Sequence, residues 1–581
     1  MVKLAATLTT RPASILSRDR VRHEEARRTS IMVATVISEI LKTMLGPKGM
    51  NKMLVTATGD VVITSEGKTT LEKLNVTHPI ARILIDVAKT QYTIAGDGTK
   101  TVVILAAELL KEAGKLLDQN IHPTVIIRGY EEATRKTLEI LERLSKPVSI
   151  EDDEVLKNVA RMVMGSRIST DLQNRLADIV VIAAKRVAEE NLGKIVVNVD
   201  NVDFTKKGGG SLNDSELING LIIYKGRPHP RMPCKVENAK IALLNSSLEP
   251  FTRKSMDWRK EYLIKTPEQL KEFIDKEKEV NKRIVENVKR VGARVLFCRK
   301  RISESIISFF AEEGIMALDM TGEKDMARLE KATGAKIVSN INELNEKDLG
   351  EAGLVEFRKI SGDEMLFIDH CKNPKATSIL IRGGTEHTVE ELERIIKASL
   401  KAVAVTIEYG KIIAGGGAIE MEVAGKLRDF SRIFKGREQL AIEAFASAME
   451  AIPKTLATNA GLEPINVLVE LRSRHAKGYT NLGVNTVKRE VEDVVERGLV
   501  EAYKVKQHAF KAASETANAI LRIDDFINVT RQKEREEEEK RLAMERKRIM
   551  DEKIRKLLEK EEELKQIDKS LTERMMHPET I

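Results

Sequence analysis

Apolar residues recur at helical spacing through most of the N-terminal quarter of the chain. Residues 19–44 have an apolar stripe along one side, which predicts a long helix. The stripe consists of Val33, Val36, Ile37, Ile40, Leu41 and Met44. A short apolar run at Val61–Thr64 predicts a strand, and helical spacing resumes at Pro79. It breaks at Gly96-Asp97-Gly98, continues to about Asn120 and returns through Leu144. The pattern therefore predicts a mostly helical region that is interrupted by glycine turns.

The central part of the chain alternates between strand and helix patterns, after a charged, helical stretch over residues 150–192. Short apolar runs predict strands at Lys240–Leu244, Arg294–Cys298, Ile315–Leu318, Ala335–Val338 and Ser378–Arg382. Periodic segments predict helices at Pro267–Val291 and Glu304–Glu313. Such alternation indicates a small parallel sheet with covering helices. Helical sequence then dominates to Asp525, so we predict an α+β, multidomain fold in which helical sequence flanks an α/β insertion.

Composition narrows the class of protein. The net charge is +8, from 97 basic and 89 acidic residues among 581, which gives little reason to expect a nucleic-acid partner. The three cysteines, Cys234, Cys298 and Cys371, lie far apart and form no CxxC pair, which argues against a zinc site or a disulfide framework. No apolar run reaches the roughly 18 residues of a membrane span, and the N-terminus has no apolar signal core. We therefore expect a cytoplasmic protein with no membrane and no nucleic-acid partner.

The C-terminal segment differs from the rest of the chain. From Arg531 to about Glu573 nearly every residue is charged or a helix former, and Leu557, Leu564 and Leu571 recur every seven residues. Because this apolar stripe is thin, a solvated or frayed helix is favoured over a coiled-coil contact.

Three glycine turns lie beside helices and suggest phosphate binding. They are LGPKG at 45–49, GDGTKT at 96–101 and GGG at 415–417. Glycines let backbone amides approach a phosphate, and a helix N-terminus adds its positive dipole end. An aspartate such as Asp97 can hold a magnesium ion that bridges phosphates. Each turn alone is more typical of a simple cap, and none matches the P-loop pattern.

Taken in order, however, these motifs resemble those of a group II chaperonin subunit of the archaeal thermosome type. The stretches are LGPKGMNKMLV, GDGTK, AGGGAIEMEVA, AIPKTLATNAGLEPINVLVELR and LRIDDF, and the resemblance spans roughly residues 15–526. A eukaryotic cytosolic chaperonin subunit is the second choice. The resemblance implies a molecular chaperone that binds unfolded polypeptides and uses ATP/ADP with Mg²⁺. Its partners would be paralogous subunits in two back-to-back rings of eight or nine.

The resemblance also implies a domain organisation. A mostly helical equatorial domain would comprise 1–148 and 406–526, and a small α/β hinge domain, the intermediate domain, 149–218 and 370–405. An α/β apical domain would comprise 219–369, with a charged extension over 527–581. A helical protrusion at about 247–285 would form the lid. Its apolar residues would meet neighbours or unfolded chains, although they could equally pack as ordinary core: Phe251, Met256, Trp258, Tyr262, Leu263 and Ile264.

Site residues carry over from the family motifs position by position. Asp97 matches the magnesium-binding aspartate, and Glu501 matches an acidic ribose contact. Gly416 and Gly417 match the base and ribose side. Phosphate contacts carry over to Leu45, Gly46 and Pro47, with Thr43 just before them, and Gly98, Thr99 and Thr101 match the phosphate loop. Gly67 and Lys100 are also expected to bind the nucleotide.

Three positions depart from the family's pattern on the side of the site that activates water. Lys100 replaces the second threonine of GDGTT, and Glu66 replaces the aspartate of NDG. Ala398 occupies the position of a hinge-domain aspartate and cannot accept a proton or orient a water; loss of such a group typically costs about 10²–10⁴-fold in rate. Arg167 matches, more loosely, a lysine that senses the γ-phosphate. We therefore expect nucleotide binding with weak or lost hydrolysis.

Two other functions remain open from the sequence. One is a mainly structural or regulatory subunit of a hetero-oligomeric ring, which the long charged tail supports. The other is an unrelated nucleotide-dependent enzyme that uses the alternating segment 240–338. That segment lacks a glycine fingerprint after its first strand, and the chain shows no catalytic grouping of His, Cys or Ser.

Overall fold

A computed structural model describes residues 20–55, 59, 61–74, 76, 78–165, 168–249, 266–372, 374–527 and 540–545. The chain forms two compact units, one of residues 1–30 with 522–581 and one of residues 31–521. Helices and several separate sheets occur together, which confirms the α+β, multidomain class.

The helices of the described residues carry labels in chain order. They are α1 His23–Lys42, α2 Gly67–Lys73, α3 Pro79–Ala95, α4 Thr99–Asp118, α5 Pro123–Leu144, α6 Asp153–Met164, α7 Thr170–Arg186, α8 Pro267–Arg290, α9 Glu304–Glu312, α10 Glu323–Thr333, α11 Glu386–Tyr409, α12 Ala418–Ser431, α13 Glu438–Met449, α14 Ala451–Ala460, α15 Pro464–Ala476 and α16 Tyr503–Leu521.

The strands are labelled in the same way. They are β1 Arg20–Arg22, β2 Lys52–Val55, β3 Val61–Thr64, β4 Lys146–Pro147, β5 Ala188–Asn191, β6 Lys194–Val197, β7 Val202–Gly208, β8 Glu216–Ile218, β9 Leu221–Ile223, β10 Lys235–Leu244, β11 Val295–Cys298, β12 Met316–Leu318, β13 Ile337–Val338, β14 Gly350–Ile360, β15 Asp363–Asp369, β16 Thr377–Gly383, β17 Lys411–Ala414, β18 Leu482–Asn485, β19 Glu490–Asp493, β20 Val500–Ala502 and β21 Asp525–Ile527.

Local capping explains where the N-terminal helices begin and end. The His78 side chain accepts a hydrogen bond from Ile80 N, and Pro79 occupies the first turn of α3. Gly96 ends this helix in a left-handed conformation, with φ 74°. Proline suits a first helical turn and glycine suits a left-handed C-cap. The predicted interruption at Gly96-Asp97-Gly98 is therefore confirmed, as is the strand at Val61–Thr64.

The largest sheet is mixed rather than parallel. Strand β10 pairs in parallel with β11 and β13, and β11 pairs in parallel with β12, as the alternation predicts. On the edge opposite β11, where β13 also pairs, β10 pairs antiparallel with β14, which continues through β15 to β9. The prediction of a small parallel sheet missed these antiparallel strands, because β14 reads as a charged, weakly periodic segment. Buried residues between Leu221 and Ala376 form one hydrophobic core around this sheet.

A second core joins α6, α7 and α11 to the sheet β7-β16-β8. The helical pattern predicted for 150–192 is wrong at its end, because α7 stops at Arg186 and a hairpin follows. Leu192 and Gly193 form the tight turn of that hairpin, with φ 51° and 74°. Cross-strand pairing of β5 with β6 outweighs the helix propensity of the AEEN stretch. Helix α11 reaches from this core to the site described below.

In the unit of residues 1–30 and 522–581, β1 pairs antiparallel with β21. The predicted start of the first helix at residue 19 is therefore wrong, because Arg20–Arg22 form a strand and α1 begins only at His23. Residues 540–545 are helical, and the rest of the predicted C-terminal helix lies outside the described residues. Among the helices that the structure describes, none is long and apolar enough to cross a membrane.

Candidate nucleotide-binding site

Three glycine turns that are far apart in the sequence line one cavity of about 120 Å³. Gly46 follows α1, Gly98 precedes α4, and Gly416-Gly417 precedes α12. Their φ angles are 77°, 79°, 57° and 78°. These conformations favour glycine because other residues place a Cβ against the backbone there. The turns also open two helices toward the cavity, so backbone N–H groups at the starts of α4 and α12 can meet an anion.

The glycines are also required by close packing. A Cβ on Gly417 would lie 2.8 Å from Pro453 Cβ, and one on Gly46 would lie 2.5 Å from Leu456 Cδ2. At Gly417 the clash would be with the ring and backbone of Pro453, whereas at Gly46 the terminal methyl of Leu456 would have to move. Helix α14, which carries Pro453 and Leu456, therefore fixes how near the two turns approach each other.

Two side-chain amides, the buried Gln91 and the partly buried Asn459, hold the turns in place. Gln91 Nε2 donates to Asp97 O at 2.8 Å and to Val505 O at 3.0 Å. Asn459 Nδ2 donates to Lys42 O at 2.8 Å and to Leu45 O at 2.9 Å. Gln91 thus links the aspartate loop to the first turn of α16, and Asn459 links the end of α1 to the turn that follows it. Gln91 and Asn459 are positioning residues of these two glycine turns.

A buried group of three charges lies at one side of the cavity. Lys506 Nζ lies 2.5 Å from Glu420 Oε1 and 3.2 Å from Glu501 Oε2. Burial raises the pKa of Glu501 to about 7; the charge of Lys506 acts against this, while those of Glu420 and Asp97 add to it. Burial lowers the pKa of Lys506, but the charges of Glu420 and Glu501 outweigh it and hold that pKa above its usual value. Lys506 and Glu501 both line the cavity.

A second, smaller cavity of about 20 Å³ adjoins the first, because Asp97 and Lys100 line both. Its volume is about that of one water molecule. Glu66 and Arg394 are the other charged residues around it, and Ala398, whose side chain is a methyl group, also lines it. Helix α11 approaches the aspartate loop closely here, since a Cβ on Gly96 would lie 3.3 Å from Ala398 O.

Glu66 and Lys100, two of the positions that we expect to depart from the family's pattern, have defined partners. Thr69 Oγ1 donates to Glu66 Oε2 at 2.5 Å. Burial raises the pKa of Glu66, although this hydrogen bond and the charge of Arg394 act in the opposite direction. Lys100 Nζ donates to Met44 O at 2.8 Å and approaches Ser65 O at 3.4 Å. Its ammonium therefore bonds to backbone carbonyls of the two neighbouring loops.

Most of the residues predicted for the site surround these two cavities. Those on the larger cavity are Leu45, Gly46, Pro47, Asp97, Gly98, Lys100, Thr101, Gly416, Gly417 and Glu501. Glu66, Gly67, Thr99 and Ala398 line the smaller one. Thr43 lines neither, and its hydroxyl donates to Ile40 O at 3.1 Å. Arg167 and the predicted lid residues Phe251, Met256, Trp258, Tyr262, Leu263 and Ile264 lie outside the described residues.

The family model for the TCP-1/cpn60 chaperonin family matches residues 37–531, which include every turn of the site. The chain belongs to this chaperonin family. Among its curated relatives, a thermosome subunit of Methanopyrus kandleri is 48% identical over 503 residues, covering 87% of this chain and 92% of the relative. Thermosome subunits alpha and beta of Archaeoglobus fulgidus are 48% and 47% identical over 524 residues, covering 90% of this chain and 96% of each relative. These relatives support a group II chaperonin.

Sequence reasoning missed several residues in and around this site, among them the polar residues Gln91, Glu420, Asn459 and Lys506. Glu420 and Asn459 lie within the stretches AGGGAIEMEVA and AIPKTLATNAG that carried the resemblance. A polar residue inside an otherwise apolar helical stretch was the available signal. Gln91 and Lys506 gave no such signal, because Gln91 joins the aspartate loop to the distant Val505 and Lys506 pairs with the distant Glu420.

Proposed function

We propose that this chaperonin subunit binds ATP or ADP between its three glycine turns and hydrolyses ATP slowly or not at all. The gathering of Gly46, Gly98 and Gly417 around one cavity supports the binding. Backbone amides there would hold the phosphates. Glu501, beside Lys506, would accept hydrogen bonds from ribose hydroxyls, as the family resemblance implies.

Magnesium would enter with the nucleotide. Among the described residues no group of three or more His, Cys, Asp or Glu side chains could hold a metal. Mg²⁺ needs no such group, because it is usually held by one or two carboxylates with phosphate oxygens and water. Asp97, which lines both cavities, fits that requirement. When bound, the ion would neutralise charge on the phosphates.

Ala398 is the observation that carries the proposed loss of hydrolysis. It lines the water-sized cavity but offers no proton acceptor. Glu66 is the one altered carboxylate on that wall, and it is longer by a methylene than the aspartate that the family has. A displacement near 1 Å can cost on the order of 10²-fold when geometry governs the step.

Single-turnover ATP hydrolysis by the purified full-length protein tests this proposal. Ala398→Asp should raise the rate by about 10²–10⁴-fold. Ala398→Asn is the matched control, because it has the same size but accepts no proton, and it should stay near wild type. Wild-type hydrolysis as fast as that of a chaperonin which retains all three aspartates would contradict the proposal.

In the cell the subunit would act in a double ring that assists the folding of unfolded polypeptides in the cytoplasm. Eight- or nine-membered rings with paralogous subunits would supply the hydrolysis that this chain lacks. The separate alpha and beta subunits named for Archaeoglobus fulgidus support such mixed rings. Particle images of the chain expressed alone and together with a paralogue test this. We expect rings only in the mixture, and complete rings of the single chain that hydrolyse ATP would oppose it.

The equatorial, hinge and apical domains would have the bounds predicted from the sequence. The core between Leu221 and Ala376 supports a separate apical domain. The core built from α6, α7 and α11 supports a separate hinge domain. Limited proteolysis tests these bounds, and the first cleavages should fall near residues 218 and 370.

A mainly structural subunit is the second candidate, and the charged tail after Arg531 favours it. Truncation at Arg531 separates the two functions. If the tail organises the ring, assembly with paralogues should fail while nucleotide binding stays unchanged. Unchanged assembly would leave the tail as a solvated extension.

A further inference from the structure

A buried histidine joins two elements that form the wall of the large cavity. His475 lies in the last turn of α15, and its side chain and that of Glu422 in α12 are each 5% exposed. Its Nδ1 atom lies 2.8 Å from Glu422 Oε2. Its Nε2 atom lies 2.8 Å from the backbone oxygen of Leu482, the first residue of β18. One ring therefore bridges β18 and the helix that follows the GGG turn.

Both nitrogens of this ring face hydrogen-bond acceptors. A backbone carbonyl only accepts, so Nε2 carries a proton toward Leu482 O. An ionised carboxylate also only accepts, so Nδ1 carries a second proton toward Glu422. Lys426 Nζ lies 3.7 Å from the other Glu422 oxygen. The ring is thus an imidazolium that donates two hydrogen bonds in fixed directions, one to the helix and one to the strand.

Strand β18 is the part of the cavity wall that this ring contacts. Val484 and Asn485, two of its four residues, line the large cavity. Val484 N donates to Gly416 O at 2.8 Å, so the strand lies directly against the GGG turn. A Cβ on Gly483 would lie only 3.0 Å from Gly416 O. Because the strand and the turn are in such close contact, a displacement of the strand would change the lining of the cavity.

We propose that His475 is a positioning residue of the nucleotide site, which holds β18 at the base and ribose side through the hydrogen bond to Leu482 O. This inference rests on the proposed nucleotide binding and deepens it. Glu422 fixes the direction of the ring, because its helix begins at the GGG turn. The ring acts on the nucleotide through the strand rather than by touching it.

Two amide substitutions separate the two hydrogen bonds of the ring. An asparagine amide reaches the position of Nδ1, so His475→Asn keeps the bond to Glu422 and loses the one to Leu482 O. A glutamine amide reaches the position of Nε2, so His475→Gln keeps the bond to Leu482 O and loses the one to Glu422. The ADP affinity of the full-length variants is measured by calorimetry with Mg²⁺, and their stability is measured as the urea midpoint.

ADP affinity and stability should change in opposite orders. His475→Asn should weaken ADP binding by about three- to tenfold, the range for one hydrogen bond, whereas His475→Gln should stay within about twofold of wild type. The urea midpoint should fall further in His475→Gln, because a buried charge that loses its hydrogen bond costs more than a carbonyl does. Affinity and stability that fall in the same order, or wild-type affinity in His475→Asn, would overturn the inference.

Arg474→Gln is the matched control. Arg474 precedes His475 in α15 and pairs with Glu470 at 2.7 Å, with side chains 46% and 41% exposed, so ADP affinity should stay at the wild-type value. If His475→Asn does not fold, His475→Phe decides the matter, because phenylalanine keeps a ring there and loses both hydrogen bonds. It should weaken ADP binding as much, and wild-type affinity in it would also overturn the inference. Failure of wild type to bind ADP would instead defeat the proposed function itself.

Discussion

Lys506 and Glu420 form a buried ion pair beneath the GGG turn. Their Nζ and Oε1 atoms are 2.5 Å apart, and the side chains are 4% and 0% exposed. Glu501 Oε2 lies 3.2 Å from the same ammonium. Two carboxylates from β20 and α12 thus share one cation from α16. This arrangement holds the predicted ribose side of the site to the start of a helix.

Removing the shared cation should destabilise the protein strongly. Lys506→Met leaves Glu420 and Glu501 facing each other with their counter-ion gone. Breaking a buried ion pair on one side typically costs about 3–5 kcal/mol. We expect the free energy of unfolding of Lys506→Met to fall by this amount, which a lowered urea midpoint would measure. Part of it should return in Lys506→Met with Glu420→Gln, because the second change removes one of the uncompensated charges.

Lys511→Met provides the control on the same helix. Lys511 pairs with Glu515 at 3.8 Å, and both side chains are more than half exposed. Exposed pairs contribute little, typically less than about 1 kcal/mol. A Lys506→Met variant that unfolds like Lys511→Met would show that the buried group of three charges does not stabilise the site.

The binding of ADP should depend on pH through Glu501, whose pKa burial raises to about 7. A charged carboxylate accepts stronger hydrogen bonds than a protonated one. Affinity should therefore rise by about three- to tenfold between pH 6 and pH 8. Isothermal titration across this range measures the affinity. Glu501→Gln is the control, because any pH dependence that remains in this variant comes from protonation of the nucleotide's own phosphates. Identical profiles for the two proteins would rule out a role for the Glu501 charge.

The same pKa sets the sign of the stability effect. Glu501 titrates higher in the folded protein than its usual value of 4.5. Between about pH 4.5 and pH 7 the folded state therefore holds a proton that the unfolded chain has lost. The contribution of Glu501 to stability falls as pH rises through that window. Glu501→Gln should remove this slope from the pH dependence of the urea midpoint.

Local features of the fold were predictable from the sequence because local forces produce them. The break at Gly96-Asp97-Gly98 follows from left-handed glycines, and the start of α3 follows from a proline in its first turn. The antiparallel strands β14 and β15 were not predictable from periodicity. Their register with β10 depends on pairing between distant segments, which a period count does not detect.

The site shows the same division between local and distant information. Its glycine turns and Asp97 were found because each is a short motif. Lys506 and Gln91 were not found, because each is placed in the site by a hydrogen bond to a residue of another helix. Buried polar residues are hydrogen-bonded to whichever partner the fold brings near them. A single sequence does not show which distant residues become neighbours.

Gly417→Ala gives the sharpest test of whether the three glycine turns shape the cavity. With φ 78°, and with Pro453 Cα only 3.0 Å from where a Cβ would lie, Gly417→Ala forces backbone atoms apart. We expect a loss of about 1–3 kcal/mol in unfolding free energy and weaker ADP binding. Gly425→Ala, within the helix that follows Gly417, is the control, since a Cβ there meets nothing within 4 Å. It should stabilise α12 by up to about 1 kcal/mol. ADP affinity in Gly417→Ala equal to that in Gly425→Ala would mean that the turn does not shape the nucleotide site.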